Sequence, residues 1–233
     1  MVKIQESRGK SGESFARIFG NAQMALLFSK VQSAVIRSGF ELESMIASAI
    51  PSEMKTTLSE LDEITADIRD QPPIQVVVKP SRPDPDQPNK SIEADLLVVD
   101  NTKRMFMLIE VKDGYVFDTK KSDGKLASLK KITAWLAQEF AYRAQYFFCS
   151  FNQENKAAIV EGAKKRFSIE NVMTGRELCE YIGIDYDKLR RQRENDQTAN
   201  RRYFLKQLLN IPEIRDEVNS LLEQPRGGLE RED

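Results

Sequence analysis

The chain has 233 residues, with 35 lysines and arginines against 36 aspartates and glutamates and a net charge of −1. With 40% hydrophobic and 30% charged residues it has the make-up of an ordinary soluble protein with ample material for a core, and no apolar run is long enough for a transmembrane span. It contains no histidine, which excludes His-dependent triads, His-ligated metal nucleases and most zinc hydrolases together.

Acid–base chemistry therefore falls to carboxylates, lysine, tyrosine or metal-activated water. The two cysteines, Cys149 and Cys179, sit in apolar settings without zinc spacing and read as reduced core residues. The N-terminus lacks an apolar secretory region, so a cytoplasmic location is expected and no membrane partner.

Residues 1–13 are polar and read as a loose arm. From Ser14 to Ile50 the spacing of Phe28, Val31, Val35, Leu42, Met45, Ile46 and Ala49 predicts a helix with one buried face. Ser38-Gly39 is expected to bend or break it, and Pro51 to end it. Residues 52–70 read as a second helix with Leu58, Leu61, Ile64 and Ile68 inward, stopped by Pro72-Pro73. Ile74–Lys79 is a predicted strand. Residues 80–90 hold four prolines, which preclude a helix or an inner strand and predict a long exposed loop. Lys79, Arg82 and Lys90 could touch a polyanion there, or the loop could be passive.

The segment Asp95–Lys112 is two apolar runs around a polar turn, the signal of a β-hairpin. Asp95 opens the first strand, and Glu110 and Lys112 close the second. Side chains alternate along a strand, so Glu110 and Lys112 share one face and Val111 takes the other. A carboxylate and an ammonium in a buried strand are expensive unless they are paired or bind an ion. Two carboxylates suit a hard cation such as Mg²⁺, which polarises a phosphate and acidifies water. The plainer reading is a hairpin with charged ends at the solvent boundary.

With Glu93-Ala94-Asp95 and Glu110-Val111-Lys112, the hairpin resembles the PD-(D/E)xK nuclease superfamily, home of most type II restriction endonucleases. Ala94 stands where the signature has proline. The resemblance implies Asp95, Glu110 and the Val111 carbonyl as Mg²⁺ ligands and Lys112 as the catalytic lysine. It also implies a helical glutamate beside the metal. Glu43, at the edge of the buried stripe, fits that role better than Glu41, and a solvated helix charge is the alternative for both.

Beyond Asp113-Gly114, Lys120, Lys121 and Lys125 lead into a helix expected from Lys125 to Tyr142, with Leu126, Leu129, Ile132, Trp135, Leu136 and Phe140 inward. Lysines just past the hairpin would meet phosphates, or they mark a solvated helix start. A strand Gln145–Phe151, a helix Gln153–Phe167, a strand Glu170–Met173 and a helix Gly175–Ile182, capped by Thr174 and ended by Gly183, complete the pattern. Asp185–Asp233 is charged. Arg190, Arg191, Arg193, Arg201 and Arg202 suit phosphates and guanine edges, while Leu189, Tyr203, Phe204, Leu205 and Leu208 would pack the same helix on the core. The tail from Pro225 is expected to fray.

The expected fold is α/β with a restriction-endonuclease-like core, a mixed central sheet flanked by helices, and helical additions at both ends. The expected segments are an N-terminal helical region (1–73), the nuclease core (74–184) and a basic C-terminal extension (185–233). The expected function is Mg²⁺-dependent, site-specific hydrolysis of double-stranded DNA by a homodimer, because a palindromic target calls for a two-fold protein. A repair or mobile-element nuclease of the same fold, or a non-catalytic DNA-binding protein, is the alternative.

Overall fold

The computed structural model describes residues 3–9, 13–66, 69, 71–114 and 119–223. The contacts divide the chain into two compact units, one of residues 1–41 with 190–233 and one of residues 42–189. The second unit takes in the whole 74–184 stretch together with the end of one long helix and the start of another.

In the first unit, α1 (Glu13–Phe19) ends at Gly20, and α2 (Ala22–Ala49) starts directly after. Gly20 adopts a φ of +66°, the left-handed cap that glycine takes at least cost. The Asn21 side chain then accepts the Met24 N–H at 2.9 Å and opens α2. The break expected at Ser38-Gly39 is therefore displaced to Gly20-Asn21, and Ser38 and Gly39 lie inside a continuous helix. A single helical glycine costs only about 1 kcal/mol, too little to break a helix anchored along its length. Phe28 stacks on Phe19 at 4.8 Å and meets the Phe204 edge at 5.9 Å. Val35, expected inward, is 68% exposed, and Ala49 is also exposed. Within the unit the buried line runs through Ala25, Leu27 and Ala34, offset from the predicted stripe. The unit is completed by most of α7 (Tyr186–Leu209) and by α8 (Pro212–Glu223). Tyr203, Phe204 and Leu208 are half-buried on α7, whereas Leu205 is exposed.

The second unit is built on a six-stranded sheet in the order β1-β2-β5-β6-β7-β8. Its strands are β1 (Lys55–Thr56), β2 (Ile74–Val78), β5 (Leu96–Asp100), β6 (Met105–Lys112), β7 (Arg143–Ser150) and β8 (Val172–Thr174). The β2-β5-β6 pairings are antiparallel and the others parallel, so the sheet is mixed. Period-two alternation sorts β6 cleanly. Phe106 and Leu108 join one core with Leu129, Ile132 and Leu136 of α4 (Thr119–Glu139) and with α3 (Leu61–Ala66) and α5 (Lys156–Gly162). Met107, Ile109 and Val111 join the other with Leu42 and Ile46 of α2, the start of α7 and α6 (Gly175–Tyr181). Helices thus cover both faces, as expected from the apolar character of β5 and β6.

Four further expectations change. The helix over 52–70 is replaced by short 3₁₀ turns, β1 and the brief α3. Pairing of Lys55 and Thr56 with Val76 and Val77 claims the first part, and Glu60, accepting the Thr57 N–H at 2.8 Å, restarts the helical turn late. Ile68 and the tail from 224 onward lie outside the described residues. The 80–90 loop is a two-stranded ribbon, β3 (Ser81–Asp84) with β4 (Gln87–Glu93). Proline is tolerated there because each strand of an isolated pair has a free edge. The ribbon is braced by Lys131, which contacts Asp84 and Asp86 at 2.7 and 2.8 Å, and by Arg82 over the Trp135 ring at 4.3 Å. Finally, α4 starts at Thr119 rather than Lys125, and α5 is shorter than expected. Among the described residues, no helix is long and apolar enough to cross a membrane.

Thr174 caps α6, accepting the Glu177 N–H at 3.1 Å, and the next residue, Gly175, lies hard against β7. A Cβ there would stand 2.2 Å from the Phe151 carbonyl oxygen. Gly175→Ala is therefore expected to destabilise by about 1–3 kcal/mol. Gly124→Ala, on an open face of α4 with nothing within 4 Å, is expected to stabilise by roughly 0.5–1 kcal/mol. Urea unfolding of the two variants checks the pair; equal effects would mean that the close approach at Phe151 is not rigid.

Candidate active site

The site is made by ladder register. Leu96 faces Ile109 and Val78 faces Leu96, so the next step along the ladder sets Lys79, Asp95 and Glu110 side by side at the ends of β2, β5 and β6. The Asp95 N–H donates to the Ile109 carbonyl at 3.2 Å, and the Lys79 N–H to the Asp95 carbonyl at 2.9 Å. Two carboxylates on directly opposed residues repel one another. Asp95 is 5% exposed and Glu110 is fully buried, so water does little to screen them.

Cations from three elements answer that repulsion. Lys112, two residues along β6, donates to Glu110 Oε1 and approaches the Val111 carbonyl at 3.3 Å. Lys125 of α4 places its ammonium 3.3 Å from Glu110 Oε2. That contact lacks hydrogen-bond geometry, and among the described residues Oε2 has no hydrogen-bond partner. Lys79 donates to Asp95 Oδ1 at 3.0 Å and also to Glu43. The other Asp95 oxygen, Oδ2, accepts the Val111 N–H at 2.7 Å, which fixes the carboxylate against the neighbouring strand. Burial, and after it the Asp95 charge, push the Glu110 carboxyl up, while Lys112 and Lys125 oppose the rise. Burial works against the Lys79 ammonium, but its hydrogen bonds to Glu43 and Asp95 outweigh it and raise Lys79 above the usual lysine range.

Lys79 departs from the ordinary strand path. Its φ of +53° lies in the left-handed region, which costs a lysine about 1 kcal/mol. The turn starts the ribbon and carries the side chain off the strand's alternation. A pocket lined by Glu43, Ile46, Val78, Lys79, Asp95, Leu96 and Val111 opens there. Glu110 and Lys112 project on the α4 side of the sheet, and Glu43 comes from α2 on the other, so the residues straddle the sheet's end.

The structure thus brings together Asp95, Glu110, Val111, Lys112 and Glu43 of the expected set, and adds Lys79. Lys125, expected at a phosphate, stands at Glu110. The side chains of Lys120 and Lys121 lie outside the described residues. Arg190, Arg191, Arg193, Arg201 and Arg202 belong to the first unit, where Arg190 pairs with Glu194 at 2.8 Å and Arg193 donates to Ser38 at 2.9 Å. Arg191, Arg201 and Arg202 are exposed. Sequence reasoning took Lys79 for the last residue of a strand, free to touch a polyanion. Its signal was a charge ending an apolar strand just before a proline, and that signal was too common to single it out.

The donor chemistry fits a hard divalent cation. Carboxylate and carbonyl oxygens are the available donors, and Glu110 Oε2 is buried without a hydrogen bond. Glu110 Oε1 and the Val111 carbonyl already converge on one positive centre, the Lys112 ammonium. Among the described residues no group of three or more His, Cys, Asp or Glu side chains is arranged around a metal. Mg²⁺ is commonly held by one or two carboxylates with waters and substrate oxygens. Thiolate ligation has no support, since burial pushes Cys149 well up and Cys179 to about 12.

The fold and site define an α/β protein with acids and lysines gathered at the end of a central β-hairpin. No protein-family model matches the chain. It is 34% identical over 229 residues to the type II restriction enzyme HhaII of Haemophilus parahaemolyticus, a match spanning 94% of this chain and 98% of that one. The chain belongs to the type II restriction enzymes.

Lys112 and Lys125 share Glu110, so each single alanine variant leaves the acid one ammonium, and the double variant leaves it none. A double-mutant cycle is expected to show a coupling of about 0.5–3 kcal/mol at pH 8. The coupling should shrink as pH falls, because a carboxyl with a raised pKa takes its proton early and no longer needs a cation. Additive losses at pH 8 would mean that the two lysines do not answer the same charge.

Proposed function

We propose that the chain is a Mg²⁺-dependent restriction endonuclease of the PD-(D/E)xK superfamily that hydrolyses phosphodiester bonds of double-stranded DNA at a specific sequence. The observation that carries this reading is the Asp95–Glu110–Lys112 constellation at the end of the central hairpin, in a chain aligned along nearly its whole length with a type II restriction enzyme. Mg²⁺ would be held by Asp95, Glu110 and the Val111 carbonyl, and it supplies neutralisation of the phosphate and acidification of the attacking water. Asp95 is pre-oriented by the Val111 N–H. Lys112 is placed to orient the water and to balance negative charge that develops on the phosphate. Glu43 reaches the same centre through Lys79.

The α7 arginines Arg190, Arg191, Arg193, Arg201 and Arg202, with Lys120 and Lys121, are the proposed DNA contacts. A cytoplasmic location accords with this activity.

Incubation with phage DNA and Mg²⁺ is expected to give discrete bands. A smear would point to a non-specific repair or mobile-element nuclease, and intact DNA to a binding protein. Asp95→Asn and Glu110→Gln are expected to abolish cleavage while leaving a folded protein. Lys112→Ala is expected to lower single-turnover cleavage by at least about a hundredfold with little loss of melting temperature, because Lys125 remains on Glu110. Retained cleavage with a large fall in melting temperature would make Lys112 a structural residue.

A homodimer is part of the proposal. Large apolar side chains stand exposed in the first unit, among them Val35, Ile36 and Phe40 on α2 and Leu221 and Leu222 on α8. Apolar surface in such quantity marks an interaction face, and a two-fold target calls for a second copy. Light scattering is expected to give a dimer for the wild type and a folded monomer for Val35→Glu/Phe40→Glu. A dimer in both would remove this face from the interface.

A further inference from the structure

The acids of the site are already supplied with positive charge. Glu43, Asp95 and Glu110 are matched by Lys79, Lys112 and Lys125, so each acid already has a cation beside it before any metal arrives. A divalent cation bound there adds two positive charges in a partly buried place, and like charges at such range repel strongly.

Lys79 is the partner placed to yield. Asp95 Oδ2 accepts the Val111 N–H, and Lys79 holds the other oxygen, Oδ1, at 3.0 Å. A metal taking Oδ1 competes with that ammonium, because two cations on one oxygen repel each other. The Asp95 side chain is 6% exposed and Glu43 17%, whereas Lys79 is 44% exposed. The acids are held in place, and the lysine has solvent to move into. Its left-handed backbone at the ribbon's base aims the side chain into the pocket rather than along the strand.

We infer that Lys79 gates metal loading: without DNA its ammonium occupies an Asp95 oxygen that a divalent cation needs, and a DNA phosphate draws it away as the duplex docks. The phosphate supplies the negative charge that the metal-bound centre lacks, so metal and DNA assist each other's binding, and the coupling is reciprocal. A free enzyme would then stay poorly loaded until duplex is present. This inference rests on the metal-dependent reading above.

The test is calorimetric titration of Mg²⁺ into DNA-free wild type, Lys79→Met and Lys79→Arg, with melting temperatures in EDTA to confirm folding. Lys79→Met is expected to bind Mg²⁺ at least about tenfold more tightly than wild type, and Lys79→Arg, which keeps the charge, to remain weak. Without metal, Lys79→Met is also expected to lower the salt slope of duplex binding by about one, the loss of one phosphate contact. Equal or weaker Mg²⁺ binding by folded Lys79→Met overturns the gate and leaves the metal-dependent reading intact. Tighter binding with an unchanged salt slope overturns the hand-over to phosphate and with it the gate. No Mg²⁺ binding by any form, with or without duplex, overturns the gate and the metal-dependent reading together.

Discussion

The arrangement depends on one unfavourable contact, two carboxylates set side by side by the register of an antiparallel ladder. Leu96 opposite Ile109 places Asp95 beside Glu110, and β6, lying between β5 and β7, denies the second of them to water. Such a pair persists only where cations or hydrogen bonds compensate it. Lys79 leaves its strand in a left-handed turn, Lys112 folds back on Glu110, and α4 delivers Lys125. Charges from three directions thus serve a repulsion fixed by two backbone segments.

The consequence for chemistry is a centre that is organised and supplied with cations in advance. Preorganised charge contributes more to catalysis than charge that must assemble during the reaction. Asp95 cannot swing, because its Oδ2 is bonded to the main chain of the next strand. The lysines are the more exposed members. A site of this kind exchanges cations more easily than it rearranges acids, and this links the electrostatics of the resting protein to the order in which metal and DNA would bind.

The helices divide in role. Those on both faces of the sheet bury β5 and β6, and without them the acids would be solvated and ordinary. The first unit is different: several large apolar side chains and the α7 residues Arg191, Arg201 and Arg202 are exposed. Val35 shows the distinction. Its spacing marks it as a core residue, yet among the described residues it stands 68% exposed.

The hairpin, its two acids and Lys112 were legible in the sequence, because apolar alternation and a polar turn are local signals and side-chain alternation assigns faces without a structure. The order of strands and helices from Asp95 to Tyr181, the Thr174 cap and the buried cysteines were legible for the same reason. What could not be read depended on partners distant in sequence. Lys55 and Thr56 became a strand because β2 offered a free edge. The proline-rich segment became a ribbon because its two halves pair with each other. Gly20 rather than Gly39 broke the first helical run, since a glycine's cost is decided by what holds the rest of the helix. Lys79 and Lys125 joined the acids from positions 16 and 15 residues outside them in the chain, and only tertiary structure brings such charges together. The sequence determined which residues could bear the chemistry; the packed sheet decided which cations would answer them, because repulsion between buried charges is set by distance and dielectric, and neither exists before the chain folds.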